Sequence, residues 1–188
     1  YRRVMAVTFF PDGRVQKNGV EIGTQQGGGL MRQTWYLSAE FTTSVNNANN
    51  DVTTNFVKHT DANAIYSSLG TESMTQSSGV FTFPSTGIYE VVSKATGSRY
   101  GGDNKYVYWI TWVSTDSGSS YDIREQGTSC MTNYGGTNTV NIFSKLILNV
   151  TNASTTRIKF GTYGGNNAVT IGTGASSTSV TFTKLSEL

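Results

Sequence analysis

The segment from Ser78 to Ala95 constrains the fold of this chain most, because it places two strands on either side of one tight turn. Val80 to Phe83 alternates apolar and polar side chains, as a strand with one buried face does. Pro84 lacks a backbone donor and ends strand pairing, and Gly87 permits the torsions that a tight turn requires. The segment therefore predicts a β-hairpin.

The strand that follows this turn is predicted to have two distinct faces. Tyr89 and Val91 point to one side, whereas Ile88, Glu90 and Val92 point to the other, since side chains alternate along a strand. Burial of one such face against a second sheet forms the core of a sandwich. The chain is therefore predicted to be all-β.

The spacing of four residues in this segment resembles the signature of the C1q/TNF-like jelly rolls. Phe81, Pro84, Gly87 and Tyr89 match the pattern F-x-x-P-x-x-G-x-Y, which in that family enters the central strand of the sandwich. In strand order and spacing, the resemblance extends over residues 33–188. It implies a Greek-key jelly roll that assembles as a homotrimer, with side chains of the inner sheet meeting at the axis.

The resemblance also indicates which side chains form the core or the contacts between subunits. The candidates for trimer or core contacts are Tyr89, Val91, Trp109, Leu146, Leu148 and Phe182. A place in the sandwich core is the more frequent role for each of them, and contact with a neighbouring subunit is the alternative.

Further strands are predicted wherever apolar residues alternate or cluster. They are Gln33 to Thr43, Val52 to Lys58, Tyr106 to Val113, Val140 to Val150, Arg157 to Tyr163 and Ser179 to Leu188. Residues 46–50 are predicted to be a polar loop. Residues 106–113 are apolar or aromatic on both faces, which predicts cover by a partner sheet on one side and by a neighbouring subunit on the other.

Residues 1–30 are predicted to form an N-terminal arm that ends in a linker. Val4 to Phe10 is an apolar run, and Arg14 to Gly23 contains an Asn-Gly pair typical of a hairpin. Thr24 to Leu30 is rich in glycine and resembles a flexible linker in composition. The predicted head is therefore residues 31–188.

The composition favours a neutral, polar surface. About a third of the residues are Ser, Thr or Asn, and 14% are charged, whereas about a quarter is usual. The net charge of +2 is scattered, so nucleic acid is not a predicted partner. No apolar run reaches the roughly 18 residues that cross a bilayer, and no signal-peptide pattern opens the chain, so no membrane insertion is predicted. The initial residue is not Met, which suggests a processed chain or a fragment.

Catalytic and metal chemistry find little support in the sequence. The single histidine, His59, lies near Asp61, but no G-x-S-x-G nucleophile pattern is present. The single cysteine, Cys130, excludes an intrachain disulfide and makes a zinc site improbable. Calcium candidates without a known ligand spacing are Asp103, Asp116 and Asp122. The chain is predicted to be non-enzymatic and to need no cofactor.

Four side chains are candidates for surface recognition. They are Arg99, Tyr100, Tyr121 and Tyr134, which the sequence places in loops rich in Asn, Asp and Gly. Aromatic rings in such loops are typical of carbohydrate contacts, and they also cap sheet edges, which is the more frequent role.

Architecture and composition together predict a virion structural protein, a phage head or tail fibre or a capsid-decoration protein. The arm would contact other virion proteins, and the trimeric head would be displayed for attachment to a host receptor or a surface glycan. The alternatives are a secreted C1q/TNF-type ligand or lectin and a bacterial surface adhesin domain. A collagen-like Gly-x-y stalk would favour the secreted ligand, and none is visible in the sequence.

Overall fold

The computed structural model describes residues 7–9, 14–17, 20–24, 31–43, 48–60, 69–100, 106–130, 137–164 and 169–188. All regular secondary structure in these ranges is β-strand. The strands are β1 Val7–Phe9, β2 Arg14–Lys17, β3 Val20–Thr24, β4 Arg32–Leu37, β5 Phe41–Thr42, β6 Asn49–Asp51, β7 Phe56–Lys58, β8 Thr75–Ser77, β9 Val80–Thr82, β10 Gly87–Tyr100, β11 Val107–Ser114, β12 Asp122–Ser129, β13 Thr137–Val150, β14 Arg157–Gly164, β15 Thr170–Ile171 and β16 Ser179–Ser186.

The first three strands form a small antiparallel sheet of their own, in the order β1-β2-β3. The predicted pairing within residues 14–23 is confirmed, since β2 and β3 are partners. The Asn-Gly turn and most of the predicted linker lie outside the described residues. A domain boundary near residue 30 stays a prediction.

Two larger antiparallel sheets make up the sandwich. In the inner sheet, β10 pairs along its whole length with β13 and on its other side with β16 and β15. The sheet continues from β16 to β4 and β7, and β5 pairs with β15. The outer sheet has the order β12-β11-β14-β9-β8, with β6 also paired to β14. The C-terminal strand β16 thus lies inside the inner sheet, as the resemblance implies.

The core between the sheets is built from aromatic rings. Phe81 lies at its centre, with ring centroids 5.4 Å from Trp35, 5.2 Å from Phe56 and 5.1 Å from Phe182. Such edge-on and tilted pairs each add about 0.5–1.5 kcal/mol to the gain from burial. Cys130 is exposed and unpaired with any cysteine, so packing rather than a disulfide holds the sandwich together.

The hairpin predicted around Pro84 and Gly87 is wrong. Strand β9 pairs with β8 and β14 in the outer sheet, whereas β10 belongs to the inner sheet. Phe81, Phe83 and Tyr89 are all buried in the same core, so the two strands pack face to face and the turn carries the chain between sheets. The local turn signal could not distinguish this crossing from a hairpin, because both need the same turn residues.

The structure also differs from the sequence-based expectations elsewhere. The strand predicted over residues 33–43 is two strands, separated by Ser38–Glu40, and part of the predicted 46–50 loop is β6. Strand β12 was not predicted, because most of its side chains are exposed and no alternation marks it. The second face of β11 is already buried within one chain, since Trp112 is 5% exposed. Its indole packs against Gly161, where an added Cβ would lie 2.7 Å from Cζ3 of the indole.

Gly79 is expected to tolerate no side chain. With Ser78 it forms the turn between β8 and β9, where both residues have positive φ, 49° and 77°. A Cβ at Gly79 would lie 2.0 Å from the carbonyl oxygen of Val52. Gly79→Ala should therefore lower the free energy of unfolding by at least about 2 kcal/mol in urea titrations. Gly172→Ala is the matched control, because its nearest neighbour would be 3.6 Å away, and an equal loss there would contradict this account.

Candidate functional site

All six candidates for trimer or core contacts point into the sandwich. Four of them are at most 2% exposed: Tyr89, Val91, Trp109 and Phe182. Leu146 and Leu148 are half-buried and pack against the same core. In a single chain these side chains are core residues, so the surface available to another subunit is formed by the residues that alternate with them.

The surface of the inner sheet that points away from the core exposes large apolar side chains. Val92 on β10 and Phe143 and Ile147 on β13 are 37%, 66% and 52% exposed. The strand register places them close together, since Val92 pairs with Lys145 and with Thr181 of β16. We define the outward face by these five residues. Large exposed apolar groups on neighbouring strands are typical of an interaction surface.

The polar groups on the outward face are largely satisfied within the chain. Lys145 forms an ion pair with Glu90 on the adjacent strand. Thr34 and Thr181 share a hydrogen bond between their hydroxyls, with 2.9 Å between the oxygens. Because the Lys145 ammonium pairs with the Glu90 carboxylate, the outward face has little net charge. Two copies of this face would therefore repel each other only weakly.

A buried lysine lies beneath the turn that joins the two sheets. The side chain of Lys184 is 2% exposed, and its Nζ donates to Glu72 at 3.1 Å, Glu187 at 2.6 Å and the Ser85 hydroxyl at 2.7 Å. The Tyr89 hydroxyl donates to the carbonyl oxygen of Ser85 at 3.0 Å. We call these five residues the Lys184 cluster. It connects β16, the turn and the segment before β8.

Two groups of this cluster, the Tyr89 hydroxyl and the Lys184 ammonium, have raised pKa values. Burial raises the pKa of the Tyr89 hydroxyl, and the neighbouring carboxylates add to that effect. Burial opposes the charged form of Lys184, but hydrogen bonds to Glu187 and Glu72 outweigh it and raise the pKa of the ammonium. The folded protein thus holds both protons more tightly than the unfolded chain does.

Alkali is expected to destabilise the fold through these two protons. Since both folded pKa values exceed the unfolded values of 10.0 and 10.5, their contribution is complete below about pH 10 and is lost as pH rises through the folded pKa values. Urea titrations between pH 9 and pH 12 should show this decline. Tyr89→Phe should reduce the slope, and an unchanged slope would contradict a role for Tyr89.

A cleft opens mainly on outer-sheet strands, and β5 of the inner sheet also lines it. Its volume is 590 Å³. We call it the outer-sheet cleft; it is lined by Phe41, Thr42, Asn49, Asn50, Asp51, Thr53, Trp112, Tyr121 and Lys159. Most of these side chains are polar, and the aromatic ones come from three different segments.

Lys159 joins the charged and aromatic parts of the cleft. Its Nζ lies 2.5 Å from Asp51 Oδ2, 4.3 Å from the ring centroid of Tyr121 and 5.4 Å from that of Trp112. Burial raises the pKa of the Tyr121 hydroxyl. An ammonium within about 6 Å of two ring centroids is attracted to both rings, which is a cation–π arrangement.

Only one of the four candidates for surface recognition is brought to a described cleft. Tyr121 lines the outer-sheet cleft. Arg99 and Tyr100 belong to β10 rather than to a loop, and their backbones pair with Asn138 and Thr137. Tyr134 lies outside the described residues. The sequence did not indicate Asp51 or Lys159, because 108 residues separate them.

The structure brings together no cluster of metal ligands within its described part. There, no group of three or more His, Cys, Asp and Glu side chains could hold a metal ion. Hydrogen bonds from Ser114 and Ser120 lower the pKa of the Asp116 carboxyl, and Asp122 pairs with Arg124 at 2.9 Å. His59 packs against Tyr36, with 5.6 Å between the ring centroids. Asp61 and Asp103 lie outside the described residues.

The described part of the chain contains no helix with the length and apolar character needed to cross a membrane.

The fold is that of the TNF-like jelly rolls. The chain is similar to Eiger TNF from S. frugiperda, with a TM-score of 0.61 and 12% identity over 85% of this chain and 95% of that one. It is also similar to murine APRIL at pH 5.0, with a TM-score of 0.59 and 10% identity over 83% of this chain and 99% of the other. No family model and no curated protein sequence matches. At these identities the likeness concerns the fold alone.

Proposed function

We propose that the chain is a non-enzymatic virion structural protein, a phage head or tail fibre or a capsid-decoration protein, displayed as a homotrimeric jelly-roll head. The outward face is the observation that carries the proposal. Val92, Phe143 and Ile147 expose apolar surface on a sheet that is otherwise well paired, and a neighbouring copy of the same chain would cover it.

Two further features support display on a particle. The separate sheet β1-β3 precedes the sandwich and would serve as the attachment arm to other virion proteins. The chain has few charged residues, 14%, and is rich in Ser, Thr and Asn, a composition that favours a neutral, polar surface. The head would then present its outer sheet for attachment to a host surface.

A secreted TNF-type ligand is the second candidate. It is favoured by the likeness of the fold to structures described as Eiger TNF and APRIL. Both candidates use the same trimer and differ in where the protein is found and what it contacts.

The first experiment measures the mass of the purified chain by light scattering and probes purified particles of the source virus for the same protein. We expect three times the chain mass of 20.3 kDa and copurification with particles. A stable trimer that is missing from particles but binds cells would favour the secreted ligand. A monomer that is missing from particles would overturn both candidates.

A further inference from the structure

We infer that the outer-sheet cleft binds a neutral carbohydrate. This inference deepens the proposed attachment function and rests on it, because it names what the displayed head would recognise. The volume of 590 Å³ lies within the usual range for ligand sites, about 300–1,000 Å³, and is large enough for part of a sugar chain.

The chemistry of the lining suits a ligand with both hydroxyl groups and apolar C–H faces. The half-buried Tyr121 supplies aromatic surface, and the Nζ of Lys159 lies 4.3 Å from the centroid of its ring. Asn49 and Thr53, both exposed at the rim, supply amide and hydroxyl groups that can donate and accept. A few polar groups around an aromatic surface fix the orientation of a ligand.

The charge of the cleft favours a neutral ligand over an acidic one. Among its lining residues only Asp51 and Lys159 are charged, and they form an ion pair. A phosphate or carboxylate ligand would have to compete with Asp51 for the ammonium, because Lys159 is the single cation among the described residues that line the cleft. A sugar hydroxyl can instead accept from Lys159 and donate to Asp51 while the ion pair remains, since an ammonium has three donors and a carboxylate about four acceptor positions.

The position of the cleft fits display on an assembled head. Strands β6, β11 and β14 of the outer sheet carry most of it, whereas the outward face belongs to the inner sheet. A trimer built through the outward face would therefore carry three such clefts, mainly on its outer sheets. Three weak sites on one particle appendage gain strength through effective concentration, which is how millimolar sugar contacts can hold a particle to a cell.

The test uses the purified full chain and simple sugar probes. Methyl glycosides of glucose, galactose, mannose, fucose and N-acetylglucosamine are measured by saturation-transfer NMR, with methyl sialoside as the acidic comparison. At least one neutral glycoside is expected to bind at millimolar concentration. Tyr121→Ala should weaken that binding about two- to tenfold, since a stacked aromatic contact contributes about 0.5–1.5 kcal/mol.

Two more variants test whether the sugar binds in the outer-sheet cleft. Thr53→Trp fills the rim of the cleft from an exposed position and should abolish binding without removing a core contact. Tyr106→Ala removes a half-buried tyrosine that packs against Tyr108 and Tyr163 instead of lining the cleft, and it should leave binding unchanged. The mass of every variant is measured by light scattering, so that a loss of assembly is distinguished from a loss of binding.

The inference is overturned if the folded wild-type chain binds no neutral glycoside, or binds the sialoside alone. It is also overturned if Tyr106→Ala weakens binding as much as Tyr121→Ala does. A monomer that still binds a neutral sugar through Tyr121 would contradict the proposed trimer and leave the carbohydrate site standing.

Discussion

Replacing Phe143 and Ile147 together by aspartate is expected to turn the assembled protein into a monomer of 20.3 kDa. Both side chains are more than half exposed in the single chain, so the change should leave the fold of each subunit intact. In a trimer the two carboxylates would be buried against a neighbour, and removing an unpaired charge from water costs several kcal/mol. Light scattering measures the mass, and circular dichroism verifies that the sheets persist.

The control variant adds the same two negative charges at a site away from the outward face. Thr75→Asp with Ser77→Asp adds two carboxylates to β8, an exposed strand at the edge of the outer sheet. That variant should keep the mass of the wild-type protein. A double variant at residues 143 and 147 that stays fully trimeric would show that the outward face is not the subunit contact.

Replacing Lys184 by methionine is expected to cost the fold about 3 kcal/mol. Methionine fills much of the same volume, but Glu72, Glu187 and the Ser85 hydroxyl would lose their shared donor. The two carboxylates are partly exposed, which places the loss at the lower end of the range for a broken buried pair. Urea titration at neutral pH, followed by tryptophan fluorescence, measures the change.

Arg124→Met provides the matched comparison. Arg124 also pairs with a carboxylate, that of Asp122, but its side chain is 49% exposed on strand β12 of the outer sheet, and surface pairs contribute at most about 1 kcal/mol. Both variants are titrated at one protein concentration, because the stability of an oligomer depends on it. Equal losses in the two variants would show that burial of Lys184 adds nothing to the strength of its cluster.

Much of the fold could be predicted because alternation and turn chemistry are local properties. The alternation of Tyr89 and Val91 with Val92 predicted which face is buried, and burial follows that pattern. Leu146 and Leu148 were likewise predicted to face the core or another subunit, and the alternation leaves Phe143 and Ile147 on the other side. The same alternation could have indicated the outward face.

The remaining features depend on contacts between distant segments. Whether Pro84 and Gly87 make a hairpin or a crossing between sheets depends on β14 and β13, which lie far along the chain. The outer-sheet cleft needs Asp51, Tyr121 and Lys159 from three strands or loops, and no local pattern in any of them indicates the others. Local patterns specify faces and turns, whereas the partner of each strand is a property of the whole chain.

The place of β16 in the inner sheet has a consequence for synthesis of the protein on the ribosome. Strand β16 lies between β4 and β10, and 147 residues separate the paired Thr34 and Thr181. A nascent chain that has emerged only through residue 178 therefore carries β4 and β10 with unpaired edges, and such edges pair readily with other chains. Pairing between chains at these edges therefore competes with correct folding until β16 has docked.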